Sequence, residues 1–187
     1  MRCFMAIKVA EPVRKMILRV QEVLRRADAD VRWVAEETLH LTLKFCGDLD
    51  EDRVARLEEL LAIEAGRWRP LALDYAGVGT FPDRGAPRVV WVGATGDVER
   101  LTGLAVAVER HAEAVGVGPE RFPFVPHLTI GRVKSDRNVK RLRSAIEPQC
   151  QVPLGKDDIR SFELMRSTLT SDGPLYDVVR SFELTGS

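Results

Sequence analysis

The sequence predicts an α+β fold. Its expected form is a bilobal, pseudo-two-fold arrangement of two mainly antiparallel sheets, with helices on the outside and a central groove. Three observations carry this expectation. Strand-like and helix-like segments are mixed along the chain, and several strands are separated only by tight turns. The tripeptide His-Leu-Thr occurs twice, at His40 and His127, almost half the chain apart. The 187 residues, 45% hydrophobic and 30% charged, suit one compact two-lobed domain over 1–187.

The elements follow in order. Residues 2–9 read as a buried strand. Residues 11–27 read as a helix, with Val13, Ile17, Val20 and Leu24 on one face and Pro12 in the first turn. A short strand spans 31–35, and strict alternation over 39–45 gives a strand with one apolar and one polar face. A turn at 47–50 leads to Asp50, a suitable N-cap for a helix over 51–65 bearing Val54, Leu57, Leu60 and Leu61. Strands at 70–80 and 88–94 flank a loop at 81–87. A helix over 97–115 stops at the Gly116-to-Pro119 segment. A Pro-containing loop enters a strand at 127–133, and a polar helix follows at 136–147. Two strands, 157–169 and 175–185, joined by a turn at 171–174, complete the pattern. Both carry Arg-Ser-Phe-Glu-Leu, at Arg160–Leu164 and Arg180–Leu184, as two neighbouring strands with one alternation would.

Composition excludes several classes. Twenty-eight basic and 28 acidic residues balance, so the chain lacks the cationic excess of a protein that coats long nucleic acid. A local pocket for one phosphate or one nucleic-acid end remains open to it. No apolar run reaches the length of a membrane span, and Lys8 interrupts the short apolar N-terminal stretch, which reads as a strand and not as a signal peptide. Cys3, Cys46 and Cys150 are far apart in sequence and odd in number, which points to a reducing, cytoplasmic setting.

The chemistry lies in the repeated tripeptide. On a strand, residues i and i+2 share a face. His40 and Thr42 therefore stand together, backed by Leu41 and Leu43, and His127 and Thr129 stand together, backed by Leu128 and Ile130. Imidazole moves protons near neutral pH, and threonine hydroxyls donate to non-bridging oxygens. Two such pairs facing across a groove suit in-line displacement at phosphorus, through positioning, charge stabilisation and paired proton transfer. Lys44 shares the expected face of His40 and adds positive potential there.

These motifs resemble those of the two-histidine (2H) phosphoesterase superfamily, and most of all its RNA 2′,3′-cyclic phosphodiesterases, also known as 2′-5′ RNA ligases. The likeness extends to Met1–Ile7, Arg32–Val34, Leu39–Gly47, Phe81-Pro82, Arg88–Trp91, Pro126–Arg132, Arg166–Leu169 and Gly173–Tyr176, and so spans essentially the whole chain. The resemblance implies a substrate that is an RNA end or nucleotide with a 2′,3′-cyclic phosphate. It implies hydrolysis to a 2′-phosphate, 2′-5′ ligation in some members, and no metal or other cofactor. It also implies His127 as base and His40 as acid, although the pseudo-symmetry permits the reverse, with Thr42 and Thr129 on the phosphate oxygens. Arg132 is implied as a phosphate ligand. Simple alternation sets it on the opposite face, and a bulge near Gly131 would bring it round. Phe45, its counterpart after His40, is either a base or ribose contact or a core residue. Tyr176 and the Phe81-Pro82 loop are further candidates for the groove lining.

Three other readings are weighed, and nothing else in the sequence supports the first, a purely structural protein whose repeat is accidental. A zinc site built on His40 and His127 lacks a third ligand at suitable spacing, and His111 is expected to be exposed on its helix. A non-catalytic module binding RNA ends or cyclic nucleotides would keep the pocket without the chemistry, and His-to-Ala variants would separate it from an enzyme. There is no phosphate-binding G-x-x-x-x-G-K-[ST] loop and no G-x-S-x-G elbow. A monomer without a membrane partner is expected.

Overall fold

The computed structural model describes residues 1–171 and 173–186. Asp172, within the expected turn at 171–174, lies outside the described residues. The strands are β1 (Arg2–Lys8), β2 (Val31–Trp33), β3 (His40–Asp48), β4 (Leu71–Phe81), β5 (Val89–Gly96), β6 (His127–Val133), β7 (Pro153–Ile159), β8 (Ser161–Thr170) and β9 (Gly173–Glu183). The helices are α1 (Glu11–Arg25), α2 (Glu51–Ala65), α3 (Val98–Ala114) and α4 (Val139–Ile146). Asp50 caps α2 as expected, its side chain accepting a hydrogen bond from the Arg53 amide.

The strands form one antiparallel sheet in the order β7-β4-β5-β6-β3-β1-β8-β9, with β2 paired to β6 beside this path. Four strands of this path lie on each side of the β6–β3 junction. There the two half-sheets are joined through a single bridge, Leu41 to Leu128. The expected two lobes are therefore two halves of one curled sheet. They do not follow the two halves of the sequence, because β1 and β3 belong with β8 and β9, whereas β4 and β5 belong with β6 and β7.

The expected single strand over 157–169 is in fact two, divided at Arg160. Tertiary pairing explains the break. Residues up to Ile159 pair with β4 in one lobe, and residues from Glu163 pair with β1 in the other. The repeated pentapeptide behaves as expected of neighbours: Phe162 pairs with Phe182, and their rings stack at 5.1 Å.

The four helices cover the outer face. Val13, Ile17 and Leu24 of α1, Leu57 and Leu61 of α2, and Leu101, Leu104 and Val108 of α3 are all buried in one core with Met5, Leu41, Leu128, Val90 and Leu73 from the sheet. Burial of that apolar area is the main term holding the layers together. His111, expected on the solvent side of α3, is instead largely buried. Its Nε2 lies 2.8 Å from Glu64 of α2, which also accepts from Trp68 Nε1 at 2.9 Å. Burial pushes the Glu64 carboxyl up, but His111 and Trp68 outweigh it and hold it below the usual carboxylate range. A buried carboxylate requires such donors, and they draw His111 inward. The inner face of the sheet carries a second, smaller cluster of Phe4, Ala6 and Met165, packed against Tyr176.

Candidate active site

The Leu41–Leu128 bridge organises the site. Antiparallel pairing at that point sets His40 across from Thr129, and His127 across from Thr42. The four side chains form a quadrilateral with the histidines at opposite corners. Leu41 and Leu128 are fully buried behind it, while His40, Thr42, His127 and Thr129 are each half-buried. The structure thus brings the two motifs together on one face.

The imidazoles are held alike. His40 Nδ1 lies 2.6 Å from the Thr38 carbonyl, and His127 Nδ1 lies 2.7 Å from the Val125 carbonyl, in both cases two residues upstream. A carbonyl only accepts, so each Nδ1 carries the proton and Nε2 is the basic atom. Each ring also meets an aromatic edge at near right angles. Tyr176 does so for His40 (5.4 Å, 87°) and Phe81 for His127 (5.1 Å, 90°). These contacts place two residues suspected from sequence beside the motifs. Burial pushes the His40 imidazole below its ordinary pKa; the Thr38 carbonyl opposes this and the charge of Arg132 adds to it.

Two bulges set what lies beyond each threonine. In β3 the register against β1 slips so that Leu43 is the extra residue, with Ala6 opposite Thr42 and Met5 opposite Lys44. In β6 the register against β5 slips at the equivalent position, so that Ile130 is extra, with Trp91 opposite Thr129 and Val90 opposite Gly131. Each bulge reverses the alternation of the following residues. Arg132 therefore emerges on the face of His127 and Thr129, close enough to His40 and Tyr176 for its charge to act on both. Phe45 emerges 55% exposed and 5.8 Å from Phe4, whose ring stands 4.9 Å from His40. It is not a core residue.

The same bulge corrects the expectation for Lys44. Instead of joining the face of His40, it turns to the helix side and is 2% exposed. There it meets the Gly118 carbonyl at 2.9 Å, Glu120 at 3.2 Å and Glu109 at 3.3 Å.

Three features were missed from sequence. Phe4 reads as an ordinary strand residue. Arg32 pairs directly with Arg132 across β2 and β6, a register that alternation alone does not reveal. Ring-orienting carbonyls at Thr38 and Val125 carry no residue-type signal at all. Among the described residues, no group of three or more His, Cys, Asp or Glu side chains is disposed to hold a metal ion, and no helix is long and apolar enough to cross a membrane.

A family model described as LigT-like phosphoesterase matches residues 7–91. The RNA 2′,3′-cyclic phosphodiesterase of Methanothermobacter thermautotrophicus is 36% identical over 183 residues, covering 98% of each chain. The chain belongs to the LigT-like phosphoesterase family, within the 2H superfamily. Its LigT-like fold is also that of a Thermus thermophilus crystal structure, with a TM-score of 0.83 at 30% identity, covering 100% of this chain and 99% of the other. Apo LigT of Escherichia coli superposes with a TM-score of 0.78 at 26% identity, covering 98% and 97%. The likeness to these relatives covers both lobes.

Proposed function

We propose that this LigT-like chain hydrolyses 2′,3′-cyclic phosphate ends of RNA, or cyclic nucleotides, to 2′-phosphates, with the two lobes acting as one domain. The observation that carries this reading is the crossed quartet His40, Thr42, His127 and Thr129, with both imidazoles presenting Nε2 as the basic atom. The name of the Methanothermobacter relative supports the substrate class.

In this reading His127 takes a proton from water, and the resulting oxygen attacks phosphorus. The bond from phosphorus to the 3′ oxygen breaks, and His40 gives its proton to that oxygen. Thr42, Thr129 and Arg132 hold the non-bridging oxygens, where charge accumulates. The free site favours a neutral His40. The bound anion pairs with Arg132 and adds negative charge beside the ring, so His40 gains its proton as substrate binds. Phe45 and Phe4 offer an aromatic surface to base or ribose. An RNA 5′-hydroxyl in the place of water gives a 2′-5′ linkage by the same steps. No metal or other cofactor takes part, and the enzyme acts as a cytoplasmic monomer.

The test is product analysis with an RNA ending in a 2′,3′-cyclic phosphate, in metal-free buffer. A 2′-phosphate end is expected. A 3′-phosphate end would overturn the assigned leaving group, and binding without turnover would favour the non-catalytic module.

A further inference from the structure

Gln21, on α1, is 2% exposed and is one of the few polar side chains in the core. Its Nε2 donates two hydrogen bonds, each 2.9 Å long, to the carbonyls of Ile130 and Val34. Ile130 is the extra residue of the β6 bulge. It also marks the point where β6 changes partners: β3 bridges to it at Leu128, and β2 takes over from Gly131 to Val133. The Val34 amide donates to the same Ile130 carbonyl at 3.0 Å. Gln21 thus ties helix, bulge and the end of β2 into one knot, two residues before Arg132. Such buried donors are costly to desolvate and are kept where their bonds fix a geometry.

We propose that Gln21 is a positioning residue for phosphate binding: by clamping the Ile130 bulge it keeps Arg132 on the catalytic face. The inference rests on the phosphoesterase reading for its substrate, but not for its geometry. Gln21 touches no reacting atom and acts only through the strand. In β3 the matching bulge at Leu43 serves Phe45, and no buried amide clamps it among the described residues, as fits a residue that offers contact area and not charge.

The experiment is a double-mutant cycle between Gln21→Met and Arg132→Ala, read as kcat/KM on a cyclic-phosphate RNA and as the Kd of inorganic phosphate. Met preserves volume and removes both donors. Gln21→Met alone is expected to weaken phosphate binding about tenfold, and to cost nothing further once Arg132 is gone, because coupled residues are non-additive. A general loss of packing would instead act equally in both backgrounds, and that result overturns the proposal. Gln21→Glu serves if the Met variant fails to fold. Protonated, it keeps one donor; ionised, it repels both carbonyls. Its phosphate binding should fall as pH rises while wild type is less affected, and parallel profiles would count against the clamp. Wild-type chain that binds phosphate but leaves the cyclic end intact refutes the functional reading alone, and the cycle on phosphate still decides the role of Gln21.

Discussion

Replacing Lys44 by Met separates the observed strand from the ideal one. On an unbroken strand Lys44 would stand beside His40, and its loss would damage phosphate binding. In the structure it is buried on the helix side, with contacts of 2.9 Å to the Gly118 carbonyl, 3.2 Å to Glu120 and 3.3 Å to Glu109. Removing one partner of a fully buried ion pair costs about 3–5 kcal/mol. Here the carboxylate side chains are 27% and 44% exposed, so water stabilises much of what is left. A cost of roughly 2 kcal/mol remains, since Met fills a similar volume. For a chain of this size that lowers the melting temperature by about 4–8 °C. Circular dichroism melts and initial rates at 25 °C measure the two effects on the same preparation. The expected result is a lower melting temperature with turnover unchanged. Full thermal stability with turnover lost would refute the bulge-based placement of Lys44.

Other expectations concern the histidines and the phosphate. His40→Ala and His127→Ala should each lower kcat by about 10²-fold or more, as loss of an acid or base does, and near-wild-type rates in either would remove that ring from proton transfer. The rate should be bell-shaped in pH; a monotonic rise from about pH 5 to 9 contradicts a paired acid and base. Because burial holds His40 below its ordinary value of 6.5, the unfolded chain binds that proton first as pH falls. The stability linked to neutral His40 is full above about pH 6.5 and is lost on acidification through the folded-state value. His40→Asn should therefore flatten the acid-side fall of urea midpoints, and an unchanged slope would exclude His40 as its source. Dialysis against EDTA should leave turnover intact, and a loss restored by added divalent ion would show that the two histidines do not suffice.

Most of the elements are legible in the sequence because their periodicity is strong. The helix at 51–65 and the strand at 127–133 have the observed limits. The faces of His40, Thr42, His127 and Thr129 follow from alternation alone. What alternation does not reveal is where it fails. The bulges at Leu43 and Ile130 arise from register against β1 and β5, and no local residue pattern marks Leu43 as the extra residue. Gly131 gave a hint for Arg132, since a glycine in a strand tolerates close packing; a side chain there would run into Val31 and Trp33. The break at Arg160 was hidden for a similar reason. Both sides of it are strand, and only the change of partner from β4 to β1 divides them.

The interleaving of the lobes also governs when the site can form during synthesis. Met5 in β1 pairs with Leu164 in β8, about 160 residues later. The strand that flanks the first motif therefore lacks one of its two neighbours until β8 has left the ribosome. Contacts this distant in sequence slow the folding search, because the loop they close is long. Nascent chains arrested before residue 160 would hold both motifs, yet the lobe carrying His40 would have a bare strand edge, open to pairing with another chain.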